Sequence, residues 1–417
     1  MTIDSASFGT FIDRALFAPR VGYYASGRVQ IGDGGDFETF PTALSPLFGR
    51  LVAERALALW RGCGAPRRFE VLEIGAGDGQ LPLDTICHVL VMGARKREWA
   101  RFGRALRYVI CERSPSLVTR QQERLRGLPS AQLPHWTDVN LLRPNRVRRA
   151  RARFGMVVAN EVLDCLPHER IVVSRSGRVR ATMVSVDARR GPRPALVDLA
   201  RVPGLDEFLR RFRPEIFARR RRPELTYFAC AALIPFLQNL AYLYARSELW
   251  LIDYGGVGRF HLRAPERQKL WVGKPHAGAP PPPRRVYRTA GREDITFLVD
   301  FDVVRRAAHH AGLAVVRMGP QAILAQRAGV MLRRSLADEI VRHRMARWAI
   351  GLFDPTTSPR RRVAVGFGSG RTTVAADVKR SLAQFSGRLK TPFRAVVLQR
   401  RGNRGRGPGR ERSRRRL

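Results

Sequence analysis

Short apolar runs, each closed by polar or turn-forming residues, set the pattern of this 417-residue chain. Phe69–Ile74, Arg107–Cys111, Met156–Ala159 and Leu249–Ile252 have the continuous apolar character of buried parallel strands. Most are followed by a helical stretch, and that alternation predicts a doubly wound α/β sheet. Leu313–Met318 and Phe393–Leu398 are candidates to complete it. Ahead of the first strand, residues 1–60 read as an irregular cap. It has a short helix over Phe8–Phe17, a glycine-rich loop over Val21–Phe37 and helical spacing from Ser45 to Trp60. Between the third and fourth strands lie roughly 85 residues, far more than a single crossover needs. There Ile171–Val186 reads as a hairpin around Ser176-Gly177, and Leu205–Arg222 and Leu225–Ala245 read as helices. The expected organisation is therefore a cap (1–60), a first part of the sheet domain (61–165), an inserted substrate subdomain (166–247) and a second part of the sheet domain (248–399). A disordered Arg-rich tail (400–417) ends it, and Pro280–Pro283 is expected to form a stiff polyproline-like loop.

One junction carries chemistry. The first strand ends in Glu73 and runs into Gly75, Gly77 and Gly79 at alternate positions, then into a helix-compatible segment opening at Gln80-Leu81. Glycine lets the backbone approach a ligand closely and adopt positive φ, which a Cβ would prevent. A dinucleotide turn reads G-x-G-x-x-G. The pattern here is E-x-G-x-G-x-G, which resembles the S-adenosylmethionine loop of class I methyltransferases.

A methyl-donor site also needs a carboxylate for the ribose and a face for the adenine. Glu112, at the end of the second strand, is placed to accept both ribose hydroxyls. It lies 37 residues after Gly75, so Gly93–Arg107 is expected to be an insertion. Trp136-Thr137-Asp138 precedes the third strand, where Asp138 is a candidate acceptor for the exocyclic amine and Trp136 a stacking face. After the third strand come Asn160, Glu161 and Asp164, polar groups at the sheet edge where a transferring methyl would point. Carboxylates there suit a guanidinium acceptor, or else cap the following helix. Asp253, behind the fourth strand, is expected to line the same cleft. In-line displacement from a sulfonium asks the protein mainly for positioning.

Charge changes the picture of partners rather than of fold. The formal net charge is +41, and five of the 76 basic residues are lysines. Such a surface predicts nonspecific attraction to nucleic acid, although no nucleic-acid module pattern is present. Cys63, Cys87, Cys111, Cys165 and Cys230 are odd in number and scattered, indicating reduced thiols and no metal site. Among the eight histidines only His276, in a Pro/Gly loop, is a site candidate. No window approaches about 18 consecutive apolar residues, so a membrane span is not expected. The N-terminal residues lack the character of a leader, and a cytoplasmic protein is the expectation.

With these residues in view, the chain resembles the MidA-like family of class I methyltransferases, whose eukaryotic members are mitochondrial complex I assembly factors acting on protein arginines. The likeness runs from about Phe8 to Gly329. It includes Gly22-Tyr23-Tyr24, Gly35-Asp36-Phe37, Ser45–Gly49, the loop Glu73–Leu81 with Asp84, and Glu112–Pro115 with Gln121. It continues through Asn160–Asp164, Asp253–Gly256, Asp294–Thr296 and Val299–Phe301. The resemblance implies a Rossmann-like class I methyltransferase sheet, S-adenosyl-L-methionine as donor and a protein arginine as acceptor. It also implies that the segment carrying Asp36 and Phe37 folds over the cofactor cleft. The chain departs from the family pattern at Thr39–Ser45, which lacks an acid, and at Lys269–His276; both segments are expected to border the acceptor pocket. An RNA acceptor, or a cofactor-binding assembly chaperone with little turnover, are the alternatives.

Overall fold

A computed structural model describes residues 4–29, 31, 39–142, 153–187, 191–218, 223–273, 285–332, 336–343, 369–385 and 393–400. Its strands in chain order are β1 (Asp4–Ser7), β2 (Phe69–Ile74), β3 (Leu106–Cys111), β4 (His135–Thr137), β5 (Phe154–Asn160), β6 (Glu169–Val173), β7 (Val179–Asp187), β8 (Gly191–Asp198), β9 (Leu225–Ala229), β10 (Arg246–Gly256), β11 (Leu270–Val272), β12 (Ile295–Phe297), β13 (Val299–Asp300), β14 (Leu313–Gly319) and β15 (Phe393–Arg400).

The main sheet has the order β14-β15-β10-β5-β2-β3-β4, with β13 beside the end of β10. From β4 to β10 all neighbours are parallel, whereas β15 runs antiparallel between β10 and β14. The apolar runs are continuous because both faces are covered. Leu72, Ile74, Val157, Ala159, Leu249 and Leu251 enter one core, while Phe69, Val71, Met156, Val158, Trp250 and Ile252 enter the other. The second face is covered by helices Leu47–Gly62, Gln80–Arg95 and Arg97–Ala105. Helices Leu205–Phe212, Leu233–Leu243 and Phe301–His310 cover the first. The extra length between Gly75 and Glu112 is the helix Arg97–Ala105, anchored by buried Trp99 and Phe102.

A second, antiparallel sheet has the order β1-β7-β6-β9, with β8 on the far side of β7. The expected hairpin is β6–β7. The expected helix Leu225–Ala245 is not one element: its first residues form β9, and the helix starts at Leu233. Within β9, Tyr227 packs into one core and Phe228 into another, a period of two that a helix would not keep. The helix expected over Leu205–Arg222 stops at Phe212, and β8 was not foreseen. Pro280–Pro283 and residues 401–417 lie outside the described residues, while Arg400 belongs to β15 rather than to a tail.

β1 belongs to the cap, so the cap and the insertion share one sheet. Gly9 permits this: a Cβ there would stand 2.6 Å from Glu169, whose carboxylate accepts from Ser7 Oγ (2.6 Å) and Gly9 N–H (3.0 Å). A small hairpin, β11–β12, completes this side.

Candidate active site

A cavity of about 720 Å³ opens at the carboxyl ends of β2, β3 and β5, the edge where ligands bind in such sheets. The glycine turn forms one wall. Gly75, Gly77 and Gly79 have φ of +65°, +55° and +84°, which favour glycine. Gly75 N–H donates to the Cys111 carbonyl (2.9 Å), tying the turn to the end of β3. Gly75 and Gly77 line the cavity; Gly79 instead starts the helix Gln80–Arg95, and Leu81 is core. Glu73 does not reach the cavity. It is buried behind the turn, accepts from the Tyr108 hydroxyl (2.6 Å), and burial pushes its carboxyl up to about 8.

Glu112 lines the cavity next to the glycines, as a ribose-binding carboxylate requires. Its orientation is fixed by Ser114 N–H (2.9 Å) and Gln121 Nε2 (3.1 Å). Gln121 also donates to the Gly77 carbonyl (3.0 Å) and accepts from Trp136 Nε1 (3.0 Å), so one amide knits turn, carboxylate and indole together. Trp136 thus supports Gln121 and does not line the cavity. Asp138 is exposed and off the cavity too; the chain turns beyond β4 so that Val139, Asn140, Leu141 and Leu142 form that wall. Asp36, Phe37 and His276 lie outside the described residues.

The opposite wall is acidic. β5 ends at Asn160, and Glu161 turns the chain with a φ of +54°, held by its N–H on the Ile252 carbonyl (2.8 Å). Asn160 Nδ2 donates to Glu161 Oε1 (3.0 Å), and the Tyr254 hydroxyl donates to Asp164 Oδ2 (2.8 Å). Asp164 Oδ1 and Asn160 Oδ1 are buried with no hydrogen-bond partner among the described residues. Burial, then the nearby Asp164, push the Glu161 carboxyl up to about 8. Burial raises Asp164 as well. Asp253 sits behind this wall rather than on it. It is fully buried and accepts from the backbone N–H groups of Leu163 (3.0 Å), Asp164 (3.2 Å) and Tyr254 (2.8 Å). Its role is to set the turn that presents Glu161 and Asp164.

Two further elements, not singled out as site residues from the sequence, close the cavity. Tyr24 donates from its hydroxyl to Asp294 Oδ1 (2.9 Å), and its carbonyl accepts from Ser114 Oγ (2.6 Å) and Ser116 Oγ (2.9 Å). The cap is thereby fastened to the β3 end beside Glu112. The β11–β12 hairpin alternates: Leu270, Val272, Ile295 and Phe297 are core, whereas Trp271, Gly273, Asp294 and Thr296 line the cavity. Its signal was a strand of three residues on each side, too short to stand out. Among the described residues no helix is long and apolar enough to cross a membrane.

The glycine turn and Glu112 at the cavity fit S-adenosyl-L-methionine, and comparison with known proteins agrees. Residues 51–319 match the family described as S-adenosyl-L-methionine-dependent methyltransferases. Similar proteins include the mitochondrial protein arginine methyltransferase NDUFAF7 homolog of Drosophila melanogaster, 29% identical over 44% of this chain and 42% of that protein. The mitochondrial protein arginine methyltransferase NDUFAF7 of Xenopus tropicalis is 26% identical over 74% of this chain and 68% of its own length. In fold the chain is similar to a Burkholderia thailandensis protein solved bound to S-adenosyl-homocysteine (TM-score 0.65, 22% identity, 96% of this chain and 89% of that one). The cytoplasmic expectation is overturned by the named relatives, which are mitochondrial proteins; the composition of the first residues was a poor guide to compartment. The chain is an enzyme of the MidA-like family and belongs to the S-adenosyl-L-methionine-dependent methyltransferases.

Proposed function

We propose that this enzyme methylates a guanidinium nitrogen of an arginine in a protein. The observation that carries the reading is the acidic wall: Glu161 and Asp164 face the cavity beside the glycine turn, and Asp164 Oδ1 is buried with no hydrogen-bond partner among the described residues. A buried carboxylate oxygen left unpaired is costly, and a cationic acceptor removes that cost. The relatives named as protein arginine methyltransferases agree with this choice of cation.

S-adenosyl-L-methionine, when bound, supplies an electrophilic methyl on a sulfonium. Gly75 and Gly77 would take its chain by close backbone approach, Glu112 its ribose hydroxyls, and Val139–Leu142 its adenine. Asp164 and Asn160 hold the guanidinium by its N–H edges and aim one nitrogen at the donor. The nitrogen that takes the methyl would lose a proton, which Glu161 would accept and pass to water. Asp253 acts through the turn it holds and touches neither reactant.

Tritiated-methyl transfer into a lysate, with and without ribonuclease, followed by mass spectrometry of the labelled band, tests this. Label on arginine that survives ribonuclease is expected. Label that vanishes with ribonuclease, or sits on another residue type, overturns it. Glu161→Gln should lose transfer and keep S-adenosyl-homocysteine binding.

A further inference from the structure

The acidic wall accounts for a cation but not for which cation. A lysine ammonium and an arginine guanidinium carry the same charge, and carboxylates alone discriminate poorly between them. The rest of the cavity is informative here. Facing the β5 turn stands a row of aromatic rings that all line the cavity: Trp271, Tyr254 and Phe393. Trp271 and Tyr254 have ring centroids 5.6 Å apart at 59°, and Tyr254 and Phe393 5.5 Å apart at 64°. Tyr254 joins the two walls, because its hydroxyl donates to Asp164.

Trp271 owes its place to the strand pairing. It lies opposite Thr296 in β11–β12, and the next pair along is Gly273 and Asp294. Period two puts all four on the cavity side. Gly273, at φ +74°, has no side chain to cover the neighbouring indole, and Asp294 brings a further carboxylate to the same face. Trp271 is only partly buried, so the hydrophobic core of Leu270, Val272, Ile295 and Phe297 does not account for an indole on this side.

We propose that Trp271 is the specificity-determining residue of the acceptor subsite, its indole face stacking on the planar guanidinium while Asp164 and Asn160 take its N–H edges and Asp294 adds negative charge on the same side. A planar, weakly hydrated cation gains from both surfaces at once, whereas a compact, strongly hydrated ammonium gains chiefly from the carboxylates. Trp271 thereby selects arginine over lysine. It also lies in the Lys269–His276 segment, where this chain departs from its family pattern.

The inference rests on the arginine reading above, and the two fail differently. The probe is a synthetic peptide spanning the arginine labelled in the lysate, alongside the same peptide with lysine or citrulline at that position. For Trp271→Leu, KM for the arginine peptide should rise roughly three- to thirty-fold. Its kcat should change little, and S-adenosyl-homocysteine affinity should match wild type, which also reports correct folding. Trp271→Phe, which keeps an aromatic face, should recover most of the KM. Inhibition by the lysine and citrulline peptides should be weak in wild type and hardly altered by Trp271→Leu. An unchanged KM in Trp271→Leu overturns the proposal, as does a Trp271→Phe enzyme as impaired as Trp271→Leu, or loss of donor binding in both variants. Label found on a residue other than arginine defeats the functional reading itself, and this inference with it.

Discussion

In the proposed mechanism Glu161 accepts the proton, and its environment makes a pH prediction. Its carboxyl titrates near 8 because it is buried beside Asp164. Below that pH it is protonated and neutral, and can neither pair with a cation nor accept a proton. With the carboxyl raised, activity should therefore be gained as pH rises, so kcat/KM should climb between about pH 6.5 and 9 and level off above its apparent pKa. A pH–rate profile checks this, and Glu161→Gln should be low and flat across the same range. Residues of this kind were legible in the sequence, because an apolar strand that breaks into Asn-Glu-x-x-Asp is conspicuous. Asp253 shows the limit. A strand-end acid reads the same whether it points into a cleft or accepts a neighbour's backbone N–H groups, and only the fold separates the two. Tyr24, Trp271 and Asp294 were not read as site residues because each reaches the cavity from an element far away in the chain.

At the level of elements, the main strands and the glycine turn were readable because both-face burial leaves long apolar runs. Of the elements that were missed or misread, β8 is mostly exposed, β9 puts one face on a second core, and the strands of the β11–β12 hairpin are three residues each. Two elements give sharp predictions. Helices Leu47–Gly62 and Gln80–Arg95 meet at Gly49, where a Cβ would stand 2.4 Å from Asp84 Cβ and 2.6 Å from its backbone carbon. The gain in helix propensity from Gly49→Ala is about 1 kcal/mol, but these contacts are with a helix backbone that cannot move aside. The clash should win, with a net loss of about 1–3 kcal/mol seen as a lower Tm. Near the contact, Asp84 is held by Ser45 and by Gln80 Nε2 (2.8 Å), which accounts for the Ser45–Gly49 motif as packing. The turn after β5 gives the second prediction. Asp253→Asn replaces one acceptor oxygen with an N–H donor facing backbone N–H groups, so the turn must shift. A displacement near 1 Å costs roughly 10- to 100-fold in kcat, while S-adenosyl-homocysteine affinity, measured by calorimetry, should hold.

For the whole molecule, the question is what fixes the insertion against the sheet domain. Arg213, buried in the insertion, makes a two-pronged pair with Asp300 at the end of β13 (2.6 and 2.5 Å), and the Tyr227 hydroxyl donates to the same carboxylate (2.9 Å). Despite burial, His261 and Arg213 hold Asp300 below the usual carboxylate range. Asp300 also caps the helix Phe301–His310, so the contact orients both units. Asp300→Ala leaves the buried Arg213 guanidinium with only its longer hydrogen bonds, to Asp302 and the Gly258 carbonyl (3.4 Å each), and should cost about 2–4 kcal/mol, read as a Tm loss larger than any exposed ion pair would produce. Charge at this scale was plain from composition, but its arrangement was not: although the chain's net charge is +41, acids gather on one cavity wall, and others sit in buried pairs like this one.

β15 carries a consequence for how the enzyme is made. It is the last described strand in the chain, yet it lies between β10 and β14, with Phe393 at its first position forming part of the cavity. Until it emerges during synthesis, β10 has an open edge and two of its apolar faces lack their partners Val396 and Val397. The glycine turn and the acidic wall are already translated by then, but they stand on an unfinished sheet. A chain that stops before Phe393 is therefore expected to leave β10 and β14 without their shared partner strand, seen as a lower Tm than that of the full-length chain.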